Sequence, residues 1–399
     1  MTEIRTLLID PTSSSADRTI FHIPAGTKFL AGKVRLCNFR IQNDSTLPIY
    51  FGTQGIYSLI LRISLTNLEG SEIDRIAGDG LNMMAIRLLA AENAAQYSIN
   101  RQLAQNMCDS VTCPSVSQIQ LTEKTGKDSA TVLSAYIDIS SMLKYLSVAR
   151  NIIDEGMNIT VEYNAPSMIA NGYSFDRFPC LAIDEVISNL PADKGTVFVF
   201  PTIISERLAV PVAGSSADIY QRRLNSYYMQ YIQNLYYLLI NDPKDTLGED
   251  FLTGKNGYNL AYAPANEQVR IYVDGRQLIP MQSVNTDAKK LSFLTDFAGA
   301  VTLPGAQAAY QGISAYGLGT LWGLTNPNTD VLMNGVLSYG CIKVAQNITN
   351  DMTIEYQATL GGVAGTFCNL VLLAEVTRTY NKATGIVGNL QTGITTATI

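Results

Sequence analysis

The second half of this chain repeats the first as a series of short strand-like segments in the same order. The repeat is clearest near the end of each half, where residues 158–163 read NITVEY and residues 351–356 read DMTIEY. Self-similarity of this kind is the sequence signature of a repeated structural unit. It predicts two copies of one strand-rich fold in tandem.

Five further matches follow the same order along the two halves. They pair Ile20–Pro24 with Val197–Pro201, Ile41–Asn43 with Ile232–Asn234, Leu61–Ile63 with Val269–Ile271, Leu133–Ser134 with Leu337–Ser338, and Phe178–Val186 with Phe367–Val376. Each match alone is weak, because β-branched and aromatic residues recur in any strand-rich chain. Their collinear order indicates a duplication, and it predicts that Phe21 superposes on Phe198 and Glu162 on Glu355.

Length and turn residues give the expected domain organisation. At 399 residues the chain is long enough for two domains of ordinary size. Pro and Gly in the segment NLPADKG break both helices and strands, so they mark the junction. We expect a polar N-terminal arm at 1–17, β-sandwiches at 18–190 and 196–381 joined by a linker at 191–195, and a C-terminal arm at 382–399.

Two long insertions interrupt the strands at corresponding places. A helix is predicted from about Leu81 to Gln105, because apolar residues recur there at steps of three and four and Asp79 is available as a cap. In the second half a Gly-rich stretch at 281–335 takes this place. A helical turn is expected at Ser140–Tyr145, and a turn between strands at Asp274-Gly275.

The surface of the predicted sandwiches is poor in charge. Charged residues make up 16% of the chain, where about 25% is typical. The 21 tyrosines suit packed but partly wet contacts. Part of the surface is therefore expected to lie against other copies. The net charge of −6 and the lack of any Lys or Arg run argue against direct nucleic-acid binding.

The cysteines and the N-terminal residues predict the folding compartment. The six cysteines are spread over the chain, mostly in apolar contexts, which indicates reduced thiols and no disulfide framework. Residues 1–5 show no apolar signal region, so we expect folding in the cytosol or nucleus. The glycosylation-type sequences at Asn43, Asn158 and Asn347 are then expected to be unmodified.

No catalytic, cofactor or metal site is predicted. The single histidine, His22, lies in a strand-like segment, where a structural role is expected. Cys108 and Cys113 lack the second pair that a zinc site needs, and Gly254-Lys255 lacks the remainder of a phosphate-binding loop. Adjacent carboxylates such as Glu249-Asp250 could in principle serve a glycosidase. Those of Asp184-Glu185, however, point to opposite faces of a strand.

Two tandem sandwiches with long insertions and no catalytic set resemble a known family. The chain is similar to the double jelly-roll major capsid proteins of double-stranded DNA viruses, which include adenovirus hexon, tailless-phage coat proteins and virophage proteins. The resemblance covers roughly residues 18–381, and the segments 133–143 and 158–163 look like the end of a first jelly roll in that family. It implies an all-β fold of two eight-stranded antiparallel jelly rolls.

The resemblance also implies a function. Members of the family form homotrimers whose six jelly rolls make a pseudo-hexagonal block, and these blocks tile an icosahedral shell beside minor and vertex proteins. A structural, non-enzymatic protein of the virion, assembled in the cytoplasm or nucleus, is therefore expected. Two alternatives stay open: a minor or vertex capsid protein, and a tandem jelly-roll protein that binds or hydrolyses carbohydrate.

Overall fold

The computed structural model describes most of the predicted strands. The described residues are 3–42, 57, 59–81, 84, 137–140, 142–148, 156–164, 174–187, 197–211, 218–241, 265–278, 282–283, 339–359 and 367–389. The 191–195 junction, most of the predicted helix at 81–105 and the 281–335 insertion, apart from 282–283, lie outside them. Within the described part of the chain, no helix is long and apolar enough to cross a membrane.

The first half forms what we call the first sandwich, from strands β1 to β11. Their bounds are β1 Glu3–Ile9, β2 Ser13–Ser14, β3 Arg18–Ile23, β4 Phe29–Cys37, β5 Arg40–Gln42, β6 Ile60–Asn67, β7 Glu72–Ala77, β8 Ile137–Asp138, β9 Met157–Tyr163, β10 Ser174–Arg177 and β11 Cys180–Ile187. A short helix α1, Tyr145–Val148, follows β8. Backbone hydrogen bonds from Met142 and Leu143 to Ile139 confirm the helical turn expected in this segment.

The second half forms the second sandwich, from strands β12 to β21. Their bounds are β12 Val197–Pro211, β13 Asp218–Arg223, β14 Tyr231–Asn241, β15 Ala265–Val273, β16 Arg276–Gln277, β17 Gln282–Ser283, β18 Tyr339–Asn347, β19 Met352–Thr359, β20 Phe367–Asn381 and β21 Ile386–Asn389. The predicted turn between β15 and β16 is confirmed, since Asp274 and Gly275 have φ values of 50° and 75°, as a tight hairpin turn requires.

Both sandwiches have the same sheet topology. In each, one sheet contains the first and the last main strand side by side, and we call it the closing sheet. Its strand order is β1-β11-β4-β8 in the first sandwich and β12-β20-β14-β18 in the second. The opposing sheet has the order β3-β9-β6-β7 in the first and β13-β19-β15-β16 in the second, with short strands added at its margins. Eight antiparallel strands in this order form a jelly roll, so the described residues confirm two tandem jelly rolls.

Each core lies between the two sheets of its own sandwich. In the second sandwich, alternate residues of β20, namely Leu370, Leu372, Ala374 and Val376, are fully buried in one cluster with residues of the other strands. The alternation follows from the strand period of two, which directs every second side chain to the core. In the first sandwich, the buried side chains of Leu181 and Ile183 occupy the corresponding face of β11.

The duplication is confirmed in detail by one pair of strands in each half. Arg62 on β6 lies opposite Glu162 on β9, and Arg270 on β15 lies opposite Glu355 on β19. Both arginines form ion pairs with their opposite glutamates, although Arg62 lies 3.9 Å from Glu162 and pairs more closely with Glu72, at 2.8 Å. The predicted equivalence of Glu162 and Glu355, and that of the strands at Leu61–Ile63 and Val269–Ile271, therefore holds residue by residue.

Other predicted equivalences are wrong. Phe21 lies on β3 and pairs with β9, whereas Phe198 lies on β12 and pairs with β20, so the two phenylalanines are on non-corresponding strands. Ile41 lies on the short strand β5 and Ile232 on β14, which corresponds to β4. Both errors have one cause: short runs of β-branched and aromatic residues match any strand of similar composition.

The predicted arms are also partly wrong. Residues 1–17 include β1, which pairs along its whole length with β11 as an edge strand of the closing sheet. The sandwich therefore begins at Glu3, well before residue 18. The segment 382–399 includes β21, which pairs with the end of β20. The polar composition of both segments reflects their places at sheet margins, where one side of the strand faces water.

The two equivalent ion pairs differ in burial, and this difference predicts a difference in stability. Glu355 has 14% of its side chain exposed and Glu162 has 35%. We expect Glu355→Gln to lower the free energy of unfolding by about 1–3 kcal/mol, because it leaves a largely buried guanidinium without its counter-charge.

The matched control is Glu162→Gln, which should cost less than about 0.5 kcal/mol, as exposed pairs do. Urea unfolding of both variants beside the wild type measures the difference. Equal losses in the two variants would show that burial does not set the contribution of this pair.

Candidate functional site

The residues considered for catalysis have structural partners. The Nδ1 atom of His22 lies 3.0 Å from Oδ1 of Asn158 on the neighbouring strand. Asp184 accepts hydrogen bonds from the Thr6 hydroxyl at 3.0 Å and from Arg35 at 2.9 Å. Each of these groups is held within a sheet of the first sandwich.

The two adjacent carboxylates do not act together. Glu185 accepts a hydrogen bond from Arg5 Nε at 2.7 Å, on the side of the strand opposite to Asp184. Among the described residues, no group of three or more His, Cys, Asp or Glu side chains could hold a metal ion. Cys108, Cys113, Glu249-Asp250 and Gly254-Lys255 lie outside the described residues.

The two sandwiches contact each other through a cluster of aromatic side chains. Tyr145 of helix α1 packs edge-on against three aromatic rings of the second sandwich. Its ring centroid lies 5.6 Å from Phe198, 5.5 Å from Phe200 and 5.6 Å from Tyr380. Edge-to-face pairs at this spacing each contribute about 0.5–1.5 kcal/mol beyond their buried area. The first residues of β12 and the last residues of β20 thus hold the second sandwich against the first.

A buried carboxylate lies beside this aromatic cluster. Oδ1 of Asp74 on β7 accepts hydrogen bonds from the Arg75 N–H at 2.9 Å and from the Thr202 hydroxyl of β12 at 3.3 Å. Oδ2 accepts one from the Tyr145 N–H at 3.1 Å. Burial raises the pKa of Asp74 to about 6, although the Tyr145 N–H and the Arg378 guanidinium act to lower it.

An ion pair and close packing continue the contact along β12. Arg207 donates hydrogen bonds from Nε and Nη2 to the two carboxylate oxygens of Asp79. Asp79 was expected to cap a helix, but it lies within the helical segment 78–81 and binds the second sandwich instead. Next to it, a Cβ on Gly80 would lie 3.5 Å from Cγ2 of Ile203. A residue larger than alanine at Gly80 would push the sandwiches apart.

A small cavity remains where these surfaces meet. Its volume is about 30 Å³, which holds water but no organic ligand. Residues from both sandwiches line it, including Ile76, Met84 and Met142 from the first and Ile203, Tyr236 and Glu375 from the second. This contact therefore joins two structural units around a cavity of water size.

The contact covers the outer face of the second closing sheet. Val371 and Leu373 alternate with the core residues of β20, so they point away from the second core, and yet both are fully buried. In the residues that the structure describes, the β1 margin of the corresponding face in the first closing sheet has no such cover. There Ile4 and Leu8 of β1 are 55% and 54% exposed. The outer face is thus covered in the second sandwich, whereas in the first its β1 margin is exposed, and we call this margin the open face.

The same fold occurs in solved viral capsids. The chain superposes on the PBCV-1 virus capsid model with a TM-score of 0.52 and 9% identity, over 98% of this chain and 97% of that one. For the Sputnik virophage structure the TM-score is 0.52 at 10% identity, over 100% and 91%. For the Faustovirus major capsid protein it is 0.51 at 10% identity, over 95% and 90%.

Sequence comparison adds no closer relative. No family model matches the sequence, and no curated protein matches it. At identities of 9–10%, the structural likeness concerns the fold. The expected resemblance to double jelly-roll capsid proteins is confirmed at that level.

The buried carboxylate predicts a pH-dependent stability. The folded pKa of Asp74, about 6, lies above its ordinary value of 3.8. Its contribution to stability is therefore fully present below about pH 4 and is lost as the pH rises through about 6. The size of this loss is on the order of 2–3 kcal/mol.

The variant Asp74→Asn mimics the protonated carboxyl and should remove this loss. We expect its melting temperature to fall less between pH 4.5 and 7.5 than that of the wild type. Asp176→Asn, which changes an exposed carboxylate of the first sandwich, is the control and should keep the wild-type slope. Parallel slopes for wild type and Asp74→Asn would contradict the assignment.

Proposed function

We propose that this protein is a major capsid protein, the structural unit from which the shell of an icosahedral double-stranded DNA virus is built. Its fold over nearly the whole chain is that of solved capsid structures, at TM-scores of 0.51–0.52. In this proposal the protein is non-enzymatic and acts in the virion. Its two jelly rolls are the proposed domains, divided within the 188–196 segment.

The observation that carries the proposal is the open face of the first closing sheet. The same face in the second closing sheet is buried by β7 and the 78–81 helical segment of the first sandwich. Because the two sandwiches share one topology, the element that corresponds to β7 is β16 of the second sandwich. A second copy can therefore present its β16 margin to the open face that contains Ile4 and Leu8.

This arrangement joins unlike surfaces and repeats from copy to copy. Contacts of this head-to-tail kind close into a ring when the rotation between units permits it. With two sandwiches in each copy, three copies place six similar units around one axis. The proposed assembly is thus a homotrimer with a pseudo-hexagonal outline, which then packs against neighbouring trimers and against minor or vertex proteins of the shell.

The alternatives have less support in the structure. A minor or vertex capsid protein more often needs a single jelly roll, whereas two are present here. A carbohydrate-active protein needs a cleft with converging acidic and aromatic side chains. In the described residues, the inter-sandwich cavity has only water-sized volume, and Asp184 and Glu185 bind separate partners.

Disruption of the open face should dissociate the trimer. We expect Leu8→Asp to convert the assembled protein to monomer, because it places a charge where the next copy must exclude water. Light scattering coupled to size-exclusion chromatography measures the mass of the particle at micromolar concentration.

The matched control is Leu68→Asp in the turn after β6. Leu68 is 56% exposed and Leu8 54%, so the two substitutions differ in place and not in exposure. The control should remain trimeric. A wild-type protein that is monomeric, or a trimer that Leu8→Asp leaves intact, would overturn the proposed interface.

A further inference from the structure

Two cysteines lie directly opposite each other on neighbouring strands of the first closing sheet. Cys37 ends β4 and Cys180 begins β11, and the two are paired in the antiparallel register. Opposite residues in such a sheet have Cα atoms about 4.5–5.5 Å apart. Disulfides span Cα separations of about 4.4–6.8 Å. The backbone therefore already holds these two residues within bonding reach.

The two thiols also share one face of the sheet. Their sequence neighbours Leu36 and Leu181 are fully buried on the core side. By strand alternation, both cysteine side chains then lie on the outer face. Both are free thiols in the structure. Their proximity is consistent with the charge of either one affecting the ionisation of the other.

The surroundings give the two thiols different roles. Cys37 is only half-buried, and the Arg35 and Arg177 guanidinium groups partly offset the rise that burial causes in its pKa. Cys180 is buried and donates a hydrogen bond from Sγ to Oδ1 of Asp10 at 3.1 Å. Burial and this carboxylate both raise the pKa of Cys180. Cys37 is thus the thiol that an external reagent reaches first.

The geometry points to a redox modification site, in which Cys37 and Cys180 form an intramolecular disulfide on exposure to a disulfide oxidant such as oxidised glutathione. The Cys37 thiolate attacks one glutathione sulfur and releases the other glutathione as a thiolate. The Cys180 thiolate then attacks Sγ of Cys37 and releases the second glutathione. The two protein thiols lose two electrons and two protons in total, and the oxidant becomes two molecules of reduced glutathione.

The crosslink would close a long loop. It joins β4 to β11, the last strand of the same sandwich, so most of the first sandwich lies between the linked residues. Closing a loop of this length restricts the unfolded chain strongly. The reduced protein folds without the bond, and the oxidised protein resists unfolding of its first sandwich. The crosslink forms within one copy and does not require the proposed assembly, although both thiols lie on the same outer face of the first closing sheet as Ile4 and Leu8.

The experiment uses the full-length protein, purified under reducing conditions and then incubated with either oxidised or reduced glutathione. Peptide mapping without reductant should show one crosslinked peptide pair containing Cys37 and Cys180 in the oxidised sample. The melting temperature of this sample should rise by at least about 3 °C. Both effects should be absent in Cys37→Ser and Cys180→Ser, and both should persist in the control Cys341→Ser.

A further variant tests the part assigned to Asp10. Asp10→Asn removes the charge that keeps Cys180 protonated, so the crosslink should form severalfold faster at neutral pH. A stable mixed disulfide of glutathione on Cys37, a crosslink to a different cysteine, or no reaction in the wild-type protein would each overturn the inference. The wild-type peptide map gives this answer even if a variant fails to fold.

Discussion

The pairing of the first strand of each half with its last strand is the interaction on which the rest of the structure depends. In the second sandwich, β12 and β20 pair over fifteen residues without a break in register. This ladder is longer than the core needs, and its far end carries Phe198, Phe200 and Tyr380. These rings pack around Tyr145. One ladder therefore both closes a sandwich and fixes the position of its neighbour.

The duplication gave two units of one topology, but the contact between them is not symmetric. The first sandwich contributes a strand margin and a helical segment, and the second contributes the outer face of a sheet. An interface between unlike surfaces leaves one surface of each kind unused. In the proposed assembly these surfaces lie against other copies, which would account for the low charge of the sequence.

The sequence predicted the class of the fold and the strands near Arg62, Glu162, Arg270 and Glu355, because the segments that contain these residues repeat in the same order in both halves. It did not predict β1, since Ile4 and Leu8 lie among polar residues on a sheet margin. Nor did it predict the role of Asp74. The segment EIDRIA has the pattern of a strand with one solvent-exposed face, whereas Asp74 is buried against Tyr145 of helix α1 and Thr202 of the second sandwich. Tertiary contacts of this kind leave no local pattern.

Synthesis of the chain proceeds from the N-terminus, so the first sandwich can close while the second is still being made. During that interval the Thr202 hydroxyl of β12 is not yet in place beside Asp74, and water can take its position. A purely apolar surface at this place would be an exposed hydrophobic patch on every nascent chain and would favour aggregation. The acidic group that makes the finished interface sensitive to pH therefore also lowers the apolar character of the surface that the second sandwich later covers.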